Sequence, residues 1–331
     1  MTLPASCFGR FLLAPLLLVF AGAIGSAAQA QNYPAKPIRM VVGFPPGGAS
    51  DTGARHFAPK LGQLLGQQII VDNRPGANTN IAIETVARAQ PDGYTLLWGF
   101  SNGLTVNPSL YKNATFHPQK DLLPVSLIDE YQFVLVVHKS VTAGKLGDLI
   151  SLIKAGKPGE FTYGSTGLGS QNHLSAVLMG RKAGIEMTHV PYKGGGPATL
   201  SVVAGETKML FASIPSVLGH IRGGSVRPFA VTAPTRSPEL PDVPTMQELG
   251  FADFDVRAWD AILVPVGTPP AIIVQLNREI ARVAAMPEIQ EAFKKVGLEL
   301  SVTSPDALAA RIRRETAIWS AIVKEAAISL E

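Results

Sequence analysis

Residues 40–55 read MVVGFPPGGASDTGAR, and this stretch sets the fold class. Met40, Val41 and Val42 are a short apolar strand. Pro45, Pro46, Gly47 and Gly48 make a turn, and Ala49-Ser50-Asp51 opens a helix of small and polar residues. The prolines stiffen the approach, and the glycines allow positive φ and close contact with the backbone. A turn that feeds a helix presents unpaired N–H groups at the positive end of the helix dipole. Such a terminus can hold an anion such as a carboxylate or a phosphate. An ordinary strand-to-helix turn would look the same in isolation, so the surrounding chain has to decide.

The 331 residues can build two domains with proper cores. Hydrophobic residues are 46% and charged ones 16%, which excludes a disordered chain. The formal charge of +4 is spread along the sequence, and no basic run points to nucleic acid. Residues 1–30 read as a secretory signal: Arg10 is the positive n-region, residues 11–24 the apolar core, and Ala28-Gln29-Ala30 a small-x-small cleavage site. The single cysteine, Cys7, precedes that apolar core, where a lipid-anchoring cysteine would follow it.

Outward from the opening stretch, the pattern predicts a strand over 38–44, a helix over 51–66, a strand over 69–71, a helix over 81–89 and a strand over 94–98. Strands alternating with helices imply βαβ units and a parallel sheet. A second passage starts near Tyr131, with a strand over 133–137 and a helix over 146–155. A strand over 161–164 then runs through Ser165-Thr166-Gly167-Leu168-Gly169-Ser170 into a helix over 172–183. Strand, Gly-rich turn and helix thus occur twice. The expected architecture is two similar α/β halves, each offering a helix N-terminus at the C-terminal edge of its sheet, where ligands of open α/β sheets bind.

Several motifs recur in one order along the chain: Tyr33-Pro34-x-Lys36-Pro37-Ile38-Arg39, Phe44-Pro45-Pro46-Gly47-Gly48-x-x-Asp51, Val71-x-Asn73-Arg74-Pro75-Gly76-Ala77, Pro91-Asp92-Gly93-Tyr94-Thr95-Leu96, Asn107-Pro108-Ser109-Leu110-Tyr111, Tyr163-Gly164-Ser165-x-Gly167-x-Gly169-Ser170, His189-Val190-Pro191-Tyr192-Lys193-Gly194, Leu240-Pro241-Asp242-Val243-Pro244-Thr245 and Val264-Pro265-x-Gly267-Thr268-Pro269. On these residues the chain resembles the Bug family of exported solute receptors that serve tripartite tricarboxylate transporters. The resemblance implies an α/β periplasmic-binding-protein fold, type II-like, with two α/β domains and an interdomain ligand cleft. It implies one domain from residues 31–131 plus 254–331 and another from 132–253. It further implies a periplasmic protein that binds a small carboxylate largely through backbone amides, small side chains and bridging water. Carried over, the ligand-binding residues are Phe44, Gly48, Ala49 and Asp51 from the first turn, and Ser165, Thr166, Gly167, Gly169 and Ser170 from the second. One departure is Ala212-Ser213, where the family often has an acidic or amide pair facing the cleft. With Ser213 there, a ligand ammonium group loses a partner, which favours a plain, di- or aromatic carboxylate over an amino acid.

Other motifs are weighed on their chemistry. Gly99-Phe100-Ser101-Asn102-Gly103 matches the G-x-S-x-G nucleophile elbow of esterase-like hydrolases, which needs a helix directly after the serine. Pro108 argues against that helix, so Ser101 and Asn102 are expected to hydrogen-bond the distal end of a ligand. The six histidines show no metal-ligand spacing. His173, in the first turn of the helix after Ser170, is either a ligand contact or a packed residue. Tyr192 is expected to wall the cleft. Gly167-x-Gly169 lacks the third glycine of a dinucleotide fingerprint, and no phosphate-loop lysine motif occurs. No metal and no cofactor is expected. Asp51 and Arg55 are expected to form an i,i+4 pair, leaving an anion to neutral donors. The expected function is a monomeric receptor delivering its ligand to membrane transporter subunits. The alternatives are a hydrolase using Ser101 and a ligand-sensing partner of a membrane kinase.

Overall fold

The computed structural model describes residues 33–325. The expected signal segment therefore lies outside the described residues. Lobe 1 begins with β1 (Ile38–Val42), β2 (Ile69–Asn73) and β3 (Thr95–Phe100), with β1 parallel to both of the others. Alternation along β1 is buried on both sides, as a covered parallel strand requires. Ile38, Met40 and Val42 pack in one apolar cluster with Phe57 and Leu61 of α1 (Ala49–Leu65). Val41 faces the other way, onto Ala82, Ile83 and Val86 of α2 (Asn80–Ala87). The buried apolar side chains of α1, Ala54, Phe57, Ala58, Leu61 and Leu65, follow the helical repeat. The helix stops at Gly66, which takes φ 75° and donates its N–H to Gly62 O, a left-handed cap that suits glycine.

After β3 come two short helices, α3 (Ser101–Thr105) and α4 (Asn107–Leu110), then α5 (Pro118–Asp121). The 17-residue strand β4 (Leu122–His138) follows and carries the chain between lobes. Residues 122–132 of β4 pair antiparallel with β9 (Arg257–Pro265), and residues 133–138 pair with β7 (Met209–Ser213) and β8 (Val226–Val231). Lobe 2 is completed by α6 (Leu146–Ala155), β5 (Thr162–Ser165), α7 (Gln171–Ala183), β6 (Thr188–Pro191), α8 (Gly195–Ala204) and α9 (Ile214–Arg222). There β5 runs parallel to β6 and β7. The chain returns on β9, which joins β3 antiparallel. It then adds α10 (Pro270–Ala284), α11 (Pro287–Lys295), β10 (Glu299–Leu300) and α12 (Pro305–Glu325) to lobe 1, with β10 on β4. The result is a two-lobed α/β fold in which β4 and β9 lie side by side where the lobes join.

The predicted elements lie within a few residues of the observed ones. One expectation needs correction: Pro108 does not keep a helix from following β3. It occupies the first turn of α4, where a missing N–H costs nothing, and α3 starts directly at Ser101.

Candidate functional site

The first turn leads from β1 into α1. Gly47 takes φ 90°, and Gly48, the N-cap, is extended at φ −78°, ψ 171°. The first intrahelical bond is Thr52 N–H to Gly48 O at 2.9 Å, so the N–H groups of Ala49, Ser50 and Asp51 point out of the helix end. Asp51 organises the loop. Its carboxylate accepts from Gly47 N–H at 2.9 Å, from Arg55 Nε at 2.9 Å and from Asn73 Nδ2 at 2.8 Å. Asn73 Nδ2 also donates to Phe44 O at 2.9 Å. Burial pushes the Asp51 carboxyl up, but the hydrogen bonds from Arg55, Asn73 and Gly47 outweigh it and hold the group below the usual carboxylate range. The expected Asp51–Arg55 pair is present. Arg39 and Arg74 both bind Asp72, so the nearby cations have carboxylate partners of their own.

The second turn is built the same way. Leu174 N–H donates to Ser170 O at 2.8 Å, which leaves the N–H groups of Gln171 and Asn172 at the mouth of α7. Ser170 caps the helix through its Oγ, which accepts from His173 N–H, and also donates to Gly167 O at 2.7 Å. Thr166 Oγ1 donates to Asn172 Oδ1 at 2.8 Å, and Asn172 Nδ2 reaches Phe211 O. Ser165 Oγ accepts from Gly167 N–H at 3.0 Å and lies 2.6 Å from His189 Nε2. Beneath the loop, the rings of His173 and His189 stack at 4.1 Å, and Tyr163 stacks on His189 at 5.1 Å. His173 Nδ1 accepts from Gly169 N–H at 3.1 Å, so its proton sits on Nε2. Burial lowers His173 to about 3, helped by His189, and burial lowers His189 to about 4.

These contacts redistribute the expected roles. His173 is only 4% exposed and buttresses the loop from below. Ser165, Gly169 and Ser170 are buried and brace the turn, while Thr166 and Gly167 are part-exposed. Phe44, Gly48 and Ala49 keep exposed surface. Ser101 and Asn102 are both buried. Ser101 Oγ donates to Gln171 Oε1 at 3.2 Å and accepts from Trp259 N–H at 3.3 Å. Asn102 joins a buried amide chain through Asn107 to Asn80. The strand-to-helix geometry of an elbow exists, but its serine is locked between two neutral partners, neither of them a base. Tyr192 is part-buried, donates its hydroxyl to Glu206 at 3.3 Å and packs its ring against the apolar cluster of lobe 2. Ser213 Oγ donates to Ser216 Oγ at 2.9 Å.

Sequence reasoning missed what joins the turns. Gln171 at the start of α7 donates to Arg257 O, and Ser50 at the start of α1 donates to Asp260 at 2.7 Å. Both anchors are on β9, three residues apart, which is ~10 Å along a strand. The two helix N-termini therefore converge on the lobe junction. Asn78, which holds φ 55°, spans the lobes by donating to Leu168 O at 3.3 Å. Such backbone is uncommon in a non-glycine residue, and asparagine tolerates it better than most. A groove of about 380 Å³ lies beside β4, lined from both lobes by Tyr131, Gln132, Ile214 and Leu298.

The profile of the family described as "Tripartite tricarboxylate transporter family receptor" matches residues 54–328. The chain belongs to this family. Protein BugT of Bordetella pertussis is 37% identical over 323 residues, covering 97% of this chain and 99% of that relative. Among solved structures, Rpa4515 of R. palustris with adipate is 32% identical at a TM-score of 0.85, covering 90% of this chain and all of that one. MatC of Rhodopseudomonas palustris with bound malate is 30% identical at a TM-score of 0.81, covering 88% of this chain and all of that one. Family and neighbours make the protein a periplasmic solute-binding receptor and not an enzyme, and the fold is that of the periplasmic binding proteins.

Proposed function

We propose that this tripartite tricarboxylate transporter receptor captures a small carboxylate between the turns at 44–51 and 165–172 and delivers it, as a monomer, to membrane transporter subunits. The observation that carries the reading is the pair of helix N-termini, one per lobe, anchored three residues apart on β9. Their outward N–H groups are neutral donors, and hydrogen bonds within each turn hold them in place before a ligand arrives. Phe44, Gly48 and Ala49 form the ligand face of the first turn, and Thr166 and Gly167 that of the second. Asp51, Ser165, Gly169, Ser170 and His173 keep the turns in shape. Binding shifts the lobes toward closure about β4 and β9, with residues 31–131 and 254–331 moving as one domain and 132–253 as the other. The partner change of β4 after residue 132 supports that division.

The ligand is a plain, di- or aromatic carboxylate. Adipate and malate in the neighbours' structures support the class. Buried Ala212 and the self-paired Ser213 present no acid to an ammonium group. A thermal-shift screen of adipate, malate, benzoate and aspartate tests this: one or more of the first three raises the melting temperature and aspartate does not. No shift with any carboxylate refutes the reading. Gly48→Val is the matched control. Gly48 has an ordinary φ, and a Cβ there meets nothing closer than Pro45 O at 3.9 Å, so the variant keeps the fold at a cost of about 1 kcal/mol for the poorer N-cap, while its side chain fills the ligand face. Undiminished affinity in Gly48→Val refutes the placement of the site.

A further inference from the structure

Asp129 of β4 and Asp260 of β9 are register partners on the two strands that join the lobes, and neither has any solvent exposure. Direct cross-strand neighbours bring their Cβ atoms within ~5 Å. Ser50 Oγ donates to Asp260 Oδ1 at 2.7 Å. Among the described residues, both oxygens of Asp129 and Oδ2 of Asp260 have no hydrogen-bond partner. The surroundings are closed on every side. From α1 come Ser50 and Gly53, where a Cβ would stand 3.5 Å from Asp129 Oδ2 and 3.3 Å from Leu298. From β3 comes Trp98, from β4 Glu130 and Tyr131, and from β10 Leu300, the register partner of Asp129. Glu130 is itself bound by Arg257 and Arg311. The charged groups that act on Asp129 are thus Asp260 and Glu130, both acidic.

Two ionised carboxylates cannot share a dry site with no cation facing them. One must carry a proton, and the donors say which. Asp260 receives the Ser50 hydroxyl, as a carboxylate does, whereas no donor reaches either oxygen of Asp129. Burial and the neighbouring acids push Asp129 well above the usual range, and burial pushes Asp260 up to about 7. This cluster supports the first turn directly, because Ser50 is also one of the residues whose N–H leaves the end of α1.

We propose that the Asp129–Asp260 pair is a proton-binding site at the lobe junction, with one proton held on Asp129, and that the protein binds its ligand's carboxylate more tightly in this singly protonated state. The second half of the proposal rests on the reading that the first turn receives a carboxylate. Losing the proton places a second buried negative charge under the anion site and repels the ligand. Affinity therefore falls as pH rises above neutral, by roughly tenfold for one uncompensated like charge at this range.

Two measurements test it on the full mature chain. Infrared spectroscopy of the ligand-free protein at about pH 6 shows the carbonyl band of a buried protonated carboxylic acid. That band disappears at about pH 9 and in Asp129→Asn, whose amide replaces the protonated acid. Titration with adipate and malate between those pH values shows the fall in affinity in the wild type and a flat profile in Asp129→Asn. Absence of the band in the wild type overturns the proton site. An unchanged pH slope of affinity in both Asp129→Asn and Asp260→Asn overturns the coupling. If neither acid binds at any pH, the carboxylate reading and the coupling fall together, and the infrared band alone still decides whether the proton is there.

Discussion

The stacked His173–His189 pair under the second turn should make this lobe acid-sensitive, and the size of the effect can be worked out. Unfolded histidines titrate near 6.5, whereas in the fold burial holds His173 at about 3 and His189 at about 4. Neutral histidine is therefore the form the fold selects. Its contribution is complete above about pH 6.5 and is lost as pH falls toward the folded values. At pH 5 the unfolded chain gains its proton about 1.5 units above the working pH, which removes roughly 2 kcal/mol through His173. His189 is part-exposed, and with solvent screening it adds about 1 kcal/mol. The raised pair Asp129–Asp260 works in the opposite direction, gaining stability as pH falls, so the wild-type profile alone is not diagnostic. The perturbation is His173→Asn, which keeps an acceptor for Gly169 N–H but does not titrate. Urea unfolding at pH 7.5 and pH 5, read by circular dichroism, gives ΔG from linear extrapolation. The pH 7.5 to pH 5 loss should shrink by about 2 kcal/mol in the variant, even though lost ring packing lowers its stability at both pH values. A loss equal to that of the wild type would refute the assignment of His173 as a buried neutral base.

Two other predictions concern the turns. Asp51→Ala removes the acceptor of Gly47 N–H and Asn73 Nδ2 and should cost about 1–3 kcal/mol. It should also weaken carboxylate binding without touching the ligand, while Asp51→Asn, which keeps one acceptor, falls between. Calorimetric titration and melting of the three proteins check this, and equal affinity in all three would show that the loop needs no support. Gly169→Ala forces a Cβ to φ 73° and to 2.1 Å from Leu110 Cδ1, so it should destabilise by about 1–3 kcal/mol. Combining it with Leu110→Ala should remove the clash but not the backbone strain, as chemical unfolding of the single and double variants would show.

Much of this molecule was legible as local pattern. The apolar run of β1 with a helical repeat behind it identified the parallel α/β unit, because strand and helix periods are properties of short windows. Gly47, Gly48, Gly167 and Gly169 marked the turns, since glycine supplies the backbone freedom that a turn into a helix requires. Asp51 and Arg55 were paired correctly because four residues is one helical turn. The site was less legible for a physical reason: what a side chain faces depends on partners far away in sequence. Ser101 and Asn102 read as pocket residues, and their partners in the fold, Gln171, Trp259 and Asn107, come from distant parts of the chain or a later turn. His173 read equally as a ligand contact or a packed residue, and its stack on His189 and bond from Gly169 could not be seen from the sequence. Only the tertiary structure set Asp129 opposite Asp260, because register between β4 and β9 joins residues 131 positions apart. The sequence by itself determined where the two helix ends would form and that each could hold an anion. The tertiary structure decided that both ends anchor on one strand at the lobe junction, over a buried acid pair, because only the antiparallel pairing of β4 with β9 brings those groups together.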